Sequence, residues 1–127
     1  MILLILQLED KGRSLVARLN GEIDLQVADA LRTALDRAMG EKGTRNLVLN
    51  LSSVSLIDSS GLGVILGRYR RLLQNGGRVG LVGPGPTVKR VLELSGLLRI
   101  MREYASEGEA LAGLEPGDGN GGRGDDR

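Results

Sequence analysis

The sequence predicts an α/β fold: a single domain with a mixed central β-sheet of about four to five strands and about four α-helices. Three observations predict it. The chain opens with two short apolar runs on either side of a turn, the pattern of an antiparallel hairpin. Apolar runs then alternate with stretches of helical period, the pattern of strands joined by crossover helices. A length of 127 residues leaves room for one domain with one core.

The hairpin strands are "LLILQLE" and "SLVARL", with "DKGR" between them as the turn. "GEID" follows, and its Asp24 is placed to cap a helix running from Leu25 to about Met39. Ala28, Leu31, Leu35 and Ala38 mark the stripe that helix should bury. "NLVLNL" is almost continuously apolar, as expected of a covered strand pairing in parallel. The strongest helical signal comes next, with Leu62, Ile65, Leu66, Tyr69, Leu72 and Leu73 recurring on one side and "NGG" at 75–77 as the stop. "RVGLVG" is a strand and "PGP" a turn. "TVKRVLELSG" is a shorter helix closed by Gly96, and "LLRIMREY" contains a last strand. Ser106 and Glu109 have capping-box spacing for a small helix through Leu114. The expected domain is therefore residues 1–114. Residues 115–127, rich in Gly and Asp, read as a disordered tail whose "RGD" and "DGNG" fragments are chance matches to adhesion and calcium motifs.

Composition narrows the chemistry. The chain has no Cys and no His, which removes disulfides, thiolates, imidazole bases and most transition-metal sites. Aromatic residues are 2%, so Leu, Val, Ile and Ala must build the core. The net charge of +1 gives no global attraction to nucleic acid or anionic membrane. The apolar "MILLILQL" lacks the basic flank and cleavage site of a signal peptide and falls far short of the ~20 residues of a membrane-spanning helix. A cytoplasmic location is expected.

The stretch "LIDSSGLGVILGRYRR", residues 56–71, is the candidate site. A nucleophile elbow needs G-x-S-x-G and a base, but Asp58 precedes Ser59 and no His exists. Gly61, Gly63 and Gly67 are spaced one residue too long for a dinucleotide fingerprint, and no P-loop Lys follows. A phosphorylated Asp58 of the receiver type would need an acidic pair for Mg²⁺, and the strand ends offer only Asp24 and Asp58. The plainest reading is that Ser59 or Ser60 caps the helix, worth ~1 kcal/mol over Ala. Capping alone leaves the outer face unexplained. Ser60, Gly63, Gly67, Arg70, Arg71 and Gln74 lie opposite the apolar stripe, and each glycine costs the helix ~1 kcal/mol relative to Ala. Bare backbone beside a hydroxyl suits close approach by another protein.

A phosphate on the cap serine would sit well at the helix N-terminus, where free N–H groups and a partial positive charge favour an anion. Arg70 and Arg71 lie 11–12 residues on, roughly 17 Å along the axis, too far to neutralise it. In a docked interface the new charge would crowd Asp58 and lose water. A penalty of about 4 kcal/mol weakens binding about a thousandfold.

"GEID", "LVLNLSSVSLIDSSGLGVILGRYRRLLQNGG" and "VKRVLELSGLLRI" closely resemble the bacterial anti-sigma factor antagonists, which are STAS domains. The resemblance runs from about residue 3 to 113, and "GVILGRY" with "VKR…SGL" is most similar to the sporulation, anti-sigma F branch. It implies partner switching. The unphosphorylated antagonist binds an anti-sigma factor that is also an ATP-dependent serine kinase, in its ATP- or ADP-bound form, and so frees the sigma factor. The kinase phosphorylates the serine directly after the motif's Asp, here Ser59, and a PP2C-like phosphatase reverses this. The resemblance places Asp24 on the "GE-D" loop facing the partner, and Ser60, Gly61 and Leu62 at the start of the docking helix. Gly63 and Gly67, by their place on the outer face of that helix, and Asp58, beside Ser59, are expected on the same partner surface. It implies no catalytic residue, no cofactor and no metal, and a monomer or weak dimer. Two alternatives stay open: a scaffold STAS protein of a stress-sensing complex, and a small nucleotide-binding protein using the glycine turn.

Overall fold

The computed structural model describes residues 4–115, so the Gly/Asp-rich tail from residue 116 and the first three residues lie outside the described part. The elements follow as β1 (Leu4–Lys11), β2 (Ser14–Ile23), α1 (Leu25–Lys42), β3 (Asn46–Ile57), α2 (Ser59–Gln74), β4 (Val79–Val82), α3 (Pro86–Ser95), a 3-10 turn (Leu97–Arg99), β5 (Arg102–Tyr104) and α4 (Glu107–Leu114). The five strands form one sheet in the order β1-β2-β3-β4-β5. β1 and β2 are antiparallel across a two-residue turn, while β2, β3, β4 and β5 pair in parallel. This is the mixed sheet the hairpin and the alternation predicted.

The period of two along the strands divides the core. Leu15, Ala17 and Leu19 of β2 and Leu47, Leu49 and Leu51 of β3 enter one cluster with the inner residues of α1, α2 and α3. Val16, Val48 and Val82 point the other way and pack with Ala110 and Leu114 of α4. Three helices therefore cover one face of the sheet and one short helix covers the other.

Several elements differ from the sequence expectation, each for a physical reason. β3 runs on to Ile57 rather than stopping at Leu51. Its second half, "SSVSLI", exposes Ser52, Ser53 and Ser55 but buries Val54 and Ile57 and pairs with the extension of β2 through register shifts at Arg18/Asn20 and Gly21/Glu22. Exposed serines hide a strand from a search for apolar runs. α1 continues to Lys42, and Met39 takes the last buried place that the expectation gave to Ala38, which is half-buried. "LLRIMREY" folds as a 3-10 turn before a strand of only three residues.

The buried face of α2 is also rotated. It consists of Gly61, Val64, Ile65, Arg68 and Leu72, whereas Leu62, Leu66 and Tyr69 are half-buried and Leu73 is 52% exposed. A helix lying on a sheet alone would bury the apolar stripe. α2 also packs against α1, and that second neighbour covers Val64 and Arg68 at the stripe's margin.

Candidate functional site

Parallel pairing brings two strand ends together. Ile23 of β2 sits opposite Ile57 of β3 in the sheet register, so the residues that follow, Asp24 and Asp58, emerge side by side. Each begins a helix at once. Two helix N-termini thus open at one edge of the sheet, outside the carboxyl ends of its strands, a common place for binding sites in α/β folds.

The structure corrects the assignment of the cap. Asp58, not Ser59 or Ser60, is the N-cap of α2: its backbone is extended, its Oδ1 accepts from Gly61 N at 3.0 Å, and Ser59 is the first helical residue. A carboxylate one residue before the serines competes for the same N–H groups, and as an ionised acceptor it bonds them more strongly. The second oxygen, Oδ2, accepts from Leu25 N of α1 at 3.1 Å. Asp58 N donates to Ile23 O at 3.2 Å. One side chain therefore ties both helix starts to each other. Asp24 caps α1 through Oδ1, which accepts from Gln26 N at 3.0 Å, as its position after the strand predicted.

With Asp58 as cap, Ser59 is freed. It is exposed, and its hydroxyl is not needed to hold the helix. Its own N–H and that of Ser60 belong to the first helical turn, which has no intrahelical acceptors. Ser60 is half-buried and faces α1.

The three glycines prove to have different places. A Cβ on Gly61 would lie 2.6 Å from Ile23 O and 2.8 Å from the side chains of Ile23 and Ile57. Gly61 is buried under the site and cannot itself present a contact surface, contrary to its place among the expected docking residues. Its lack of a side chain lets α2 sit directly on the strand ends. A Cβ on Gly63 or Gly67 would meet nothing within 4 Å. Those two leave bare backbone on the outside of α2, as the helical wheel indicated. Leu62 lies between, half-buried against the core.

Sequence reasoning missed Leu25. It is 74% exposed beside Asp58, yet its spacing from Ala28 puts it in line with the buried stripe of α1, so periodicity carries no signal of its exposure. Arg71, one of the outer-face arginines, donates to Asp36 of α1 at 2.8 Å rather than standing free, and Arg70 is exposed. Among the described residues no group of three or more Asp or Glu is placed to hold a metal ion, and no helix is long and apolar enough to cross a membrane.

Comparison with known proteins agrees with this geometry. The STAS domain model matches residues 6–110. The anti-sigma F factor antagonist of Paenibacillus polymyxa is 40% identical over 110 residues, covering 87% of this chain and 94% of that protein. Among solved structures, the anti-sigma factor antagonist SpoIIAA in its unphosphorylated form is 35% identical, with a TM-score of 0.77 over 87% of this chain and 96% of that one. The Bacillus cell fate determinant SpoIIAA in the phosphorylated form is 34% identical, with a TM-score of 0.70 over 87% of this chain and all of that one. With matches of this extent in both sequence and fold, the chain belongs to the STAS-domain family of bacterial anti-sigma factor antagonists.

Proposed function

We propose that this protein is a partner-switching regulator and not an enzyme. Unphosphorylated, it binds an anti-sigma factor that is also a serine kinase, loaded with ATP or ADP, and thereby frees a sigma factor. Phosphorylation of Ser59 by that kinase ends the complex, and a PP2C-like phosphatase resets the chain. Similarity to the anti-sigma F antagonist of Paenibacillus polymyxa favours a role in sporulation, with the protein acting in the cytoplasm as a monomer or weak dimer.

One observation carries the reading: Ser59 is exposed directly after Asp58, whose carboxylate already holds both helix starts. A phosphate there adds about −1.5 to −2 charges beside an existing carboxylate. Asp58 keeps its bonds to Gly61 and Leu25, so the fold tolerates the change. The partner surface formed by Asp24, Ser60, Leu62, Gly63 and Gly67 does not. Like-charge contact and desolvation in the docked state cost several kcal/mol, and about 4 kcal/mol removes a thousandfold of affinity.

Incubation with ATP and the anti-sigma kinase of the same organism tests this. One phosphate is expected, located on Ser59 by mass spectrometry, with loss of the complex on gel filtration. Ser59→Ala should remain bound. Ser59→Asp should bind about a thousandfold more weakly with an unchanged melting temperature. A phosphate on Ser60, or no phosphate, would overturn the assignment. Tight ATP binding by the isolated chain would favour the nucleotide-binding alternative, and a large homo-oligomer in light scattering would favour the scaffold.

A further inference from the structure

β1 forms one border of the sheet, paired with β2 on one side and, among the described residues, with no strand on the other. The two-residue turn between Lys11 and Ser14 closes on a hydrogen-bonded pair, and such pairs alternate along an antiparallel ladder. The N–H and C=O groups of Leu4, Leu6, Leu8 and Asp10 therefore point away from β2. None of these four makes a turn or loop bond outside the ladder. An open edge of this kind is a template for a further strand, and natural sheets blunt it with charge, proline or a bulge. Here Glu9, Asp10 and Lys11 blunt only the end next to the turn. The segment "LILQL", Leu4 to Leu8, carries no charge and no proline, and its register with β2 has no bulge.

Side chains along this edge are uncovered too. Leu4, Leu6 and Leu8 share the face on which α1 lies. Leu4 and Leu6 pack against the main core, but Leu8 is 40% exposed. An apolar groove of about 240 Å³ runs alongside, lined by Leu4 and Leu6 of β1 and by Val27, Ala30, Leu31 and Ala34 of α1.

The order of residues in the strand selects the occupant. Antiparallel copies keep their faces matched only in registers that differ by two residues. With a two-fold axis at Leu6, Leu6 meets Leu6, Leu4 meets Leu8 and Ile5 meets Gln7, so no charge is set against an apolar side chain. Leu6–Leu6 and Leu4–Leu8 are then the hydrogen-bonded pairs, because those are the residues whose backbone groups point outward. Sliding the copies by two residues towards the turn sets Leu4 against Asp10 and Ile5 against Glu9. Sliding them the other way leaves only Leu4, Ile5 and Leu6 to pair among the described residues.

We propose that two copies of this chain join β1 to β1, antiparallel about an axis at Leu6, so that each Leu8 enters the β1–α1 groove of the other copy. This goes beyond the partner-switching reading and does not depend on it, since the edge shares no residue with the surface around Ser59. Five paired residues and one groove cover less than the roughly 800 Å² per partner of a standard interface, so the dimer is weak and forms by mass action.

Analytical ultracentrifugation of the full chain from about 10 µM to about 1 mM should show the mass rising from 13.5 kDa towards twice that value. Leu8→Lys puts an ammonium at the mouth of the groove and should stay monomeric throughout. Its melting temperature should not change, since Leu8 lies outside the core. Leu94→Lys, at a leucine 76% exposed on α3, should dimerise like the parent. The chain has no Cys, so one introduced thiol reports the register. Leu6→Cys should cross-link under mild oxidation, because paired Cα atoms about 5.5 Å apart are within disulfide reach, whereas Gln7→Cys should not. A parent that stays monomeric, a dimer retained in Leu8→Lys, or preferential cross-linking at Gln7→Cys would each overturn the proposal, and none of them bears on Ser59.

Discussion

Two polar clusters in this molecule differ in what they leave open. On the α4 face, Arg18 of β2 donates to both oxygens of Glu107, at 2.7 and 2.8 Å, and to Glu9 at 2.7 Å. Asn50 adds a further bond to Glu107 at 2.7 Å, and Lys11 pairs with Glu9 at 2.9 Å. Every carboxylate there has a side-chain cation, and the cluster joins β1, β2, β3 and α4. At the other cluster Asp58 and Asp24 accept only from backbone N–H groups, and Ser59 beside them is exposed. Saturation marks a polar network that serves the fold. Acids bound only to backbone, next to an unused hydroxyl and bare glycines, mark a surface arranged for something else.

The largest expected effect sharpens the contrast within the open cluster itself. Gly61→Val should destabilise the protein by about 3 kcal/mol in urea unfolding, because the new side chain meets Ile23 O and the Ile23 and Ile57 side chains. Gly63→Ala, two residues on in open space, should instead stabilise the fold by up to ~1 kcal/mol while weakening binding to the kinase. If both glycines behaved alike, their division into a buried seat and an open rim would fail.

Asp58→Ala comes next, at about 2 kcal/mol, since it strips the cap from α2 and the acceptor from Leu25 N together. Amide exchange should rise at both Gly61 and Leu25, though they lie on different helices. Faster exchange at Gly61 alone would mean that Asp58 caps without bridging.

The smallest effect tests the closed cluster. The hydrogen bond from Arg18, ahead of the smaller contribution from Asn50 and against a cost of burial, holds Glu107 below its ordinary value of 4.5. A depressed folded pKa contributes stability above the unfolded value, and that contribution is lost as pH falls through the folded one. Glu107→Gln should cost about 1 kcal/mol at neutral pH and flatten the loss of stability on acidification below about pH 4.5. Urea midpoints taken from about pH 6 to about pH 3 would show it. A parallel acid limb in the variant would remove Glu107 from the account.

Much of this was legible in the chain. Strand and helix periods gave the order of elements, and Asp24 and Ser106 both cap where their positions after a strand or before an apolar run placed them. Ser59 stood out because an acid precedes it and helical periodicity follows, although which residue capped the helix was misread. Hydroxyls and carboxylates are both good caps, and composition does not say which one reaches the N–H first. Arg68 was also hidden, since an arginine at the edge of an apolar stripe looks solvated until a neighbouring helix covers it.

By itself the sequence determined the α/β architecture, the absence of imidazole and thiol chemistry, and the placing of a serine directly after an acid at the start of a helix. These depend on residue identity and local period, which are properties of short stretches. Tertiary structure decided that Asp58 holds two helices, that Gly61 lies beneath the site while Gly63 borders it, and that Arg68 is buried beside Asp36. Each of these depends on the Ile23–Ile57 register and on α1 packing against α2, contacts between residues 30 or more positions apart. No local pattern encodes such contacts, because they form only when the sheet brings both strand ends to one edge.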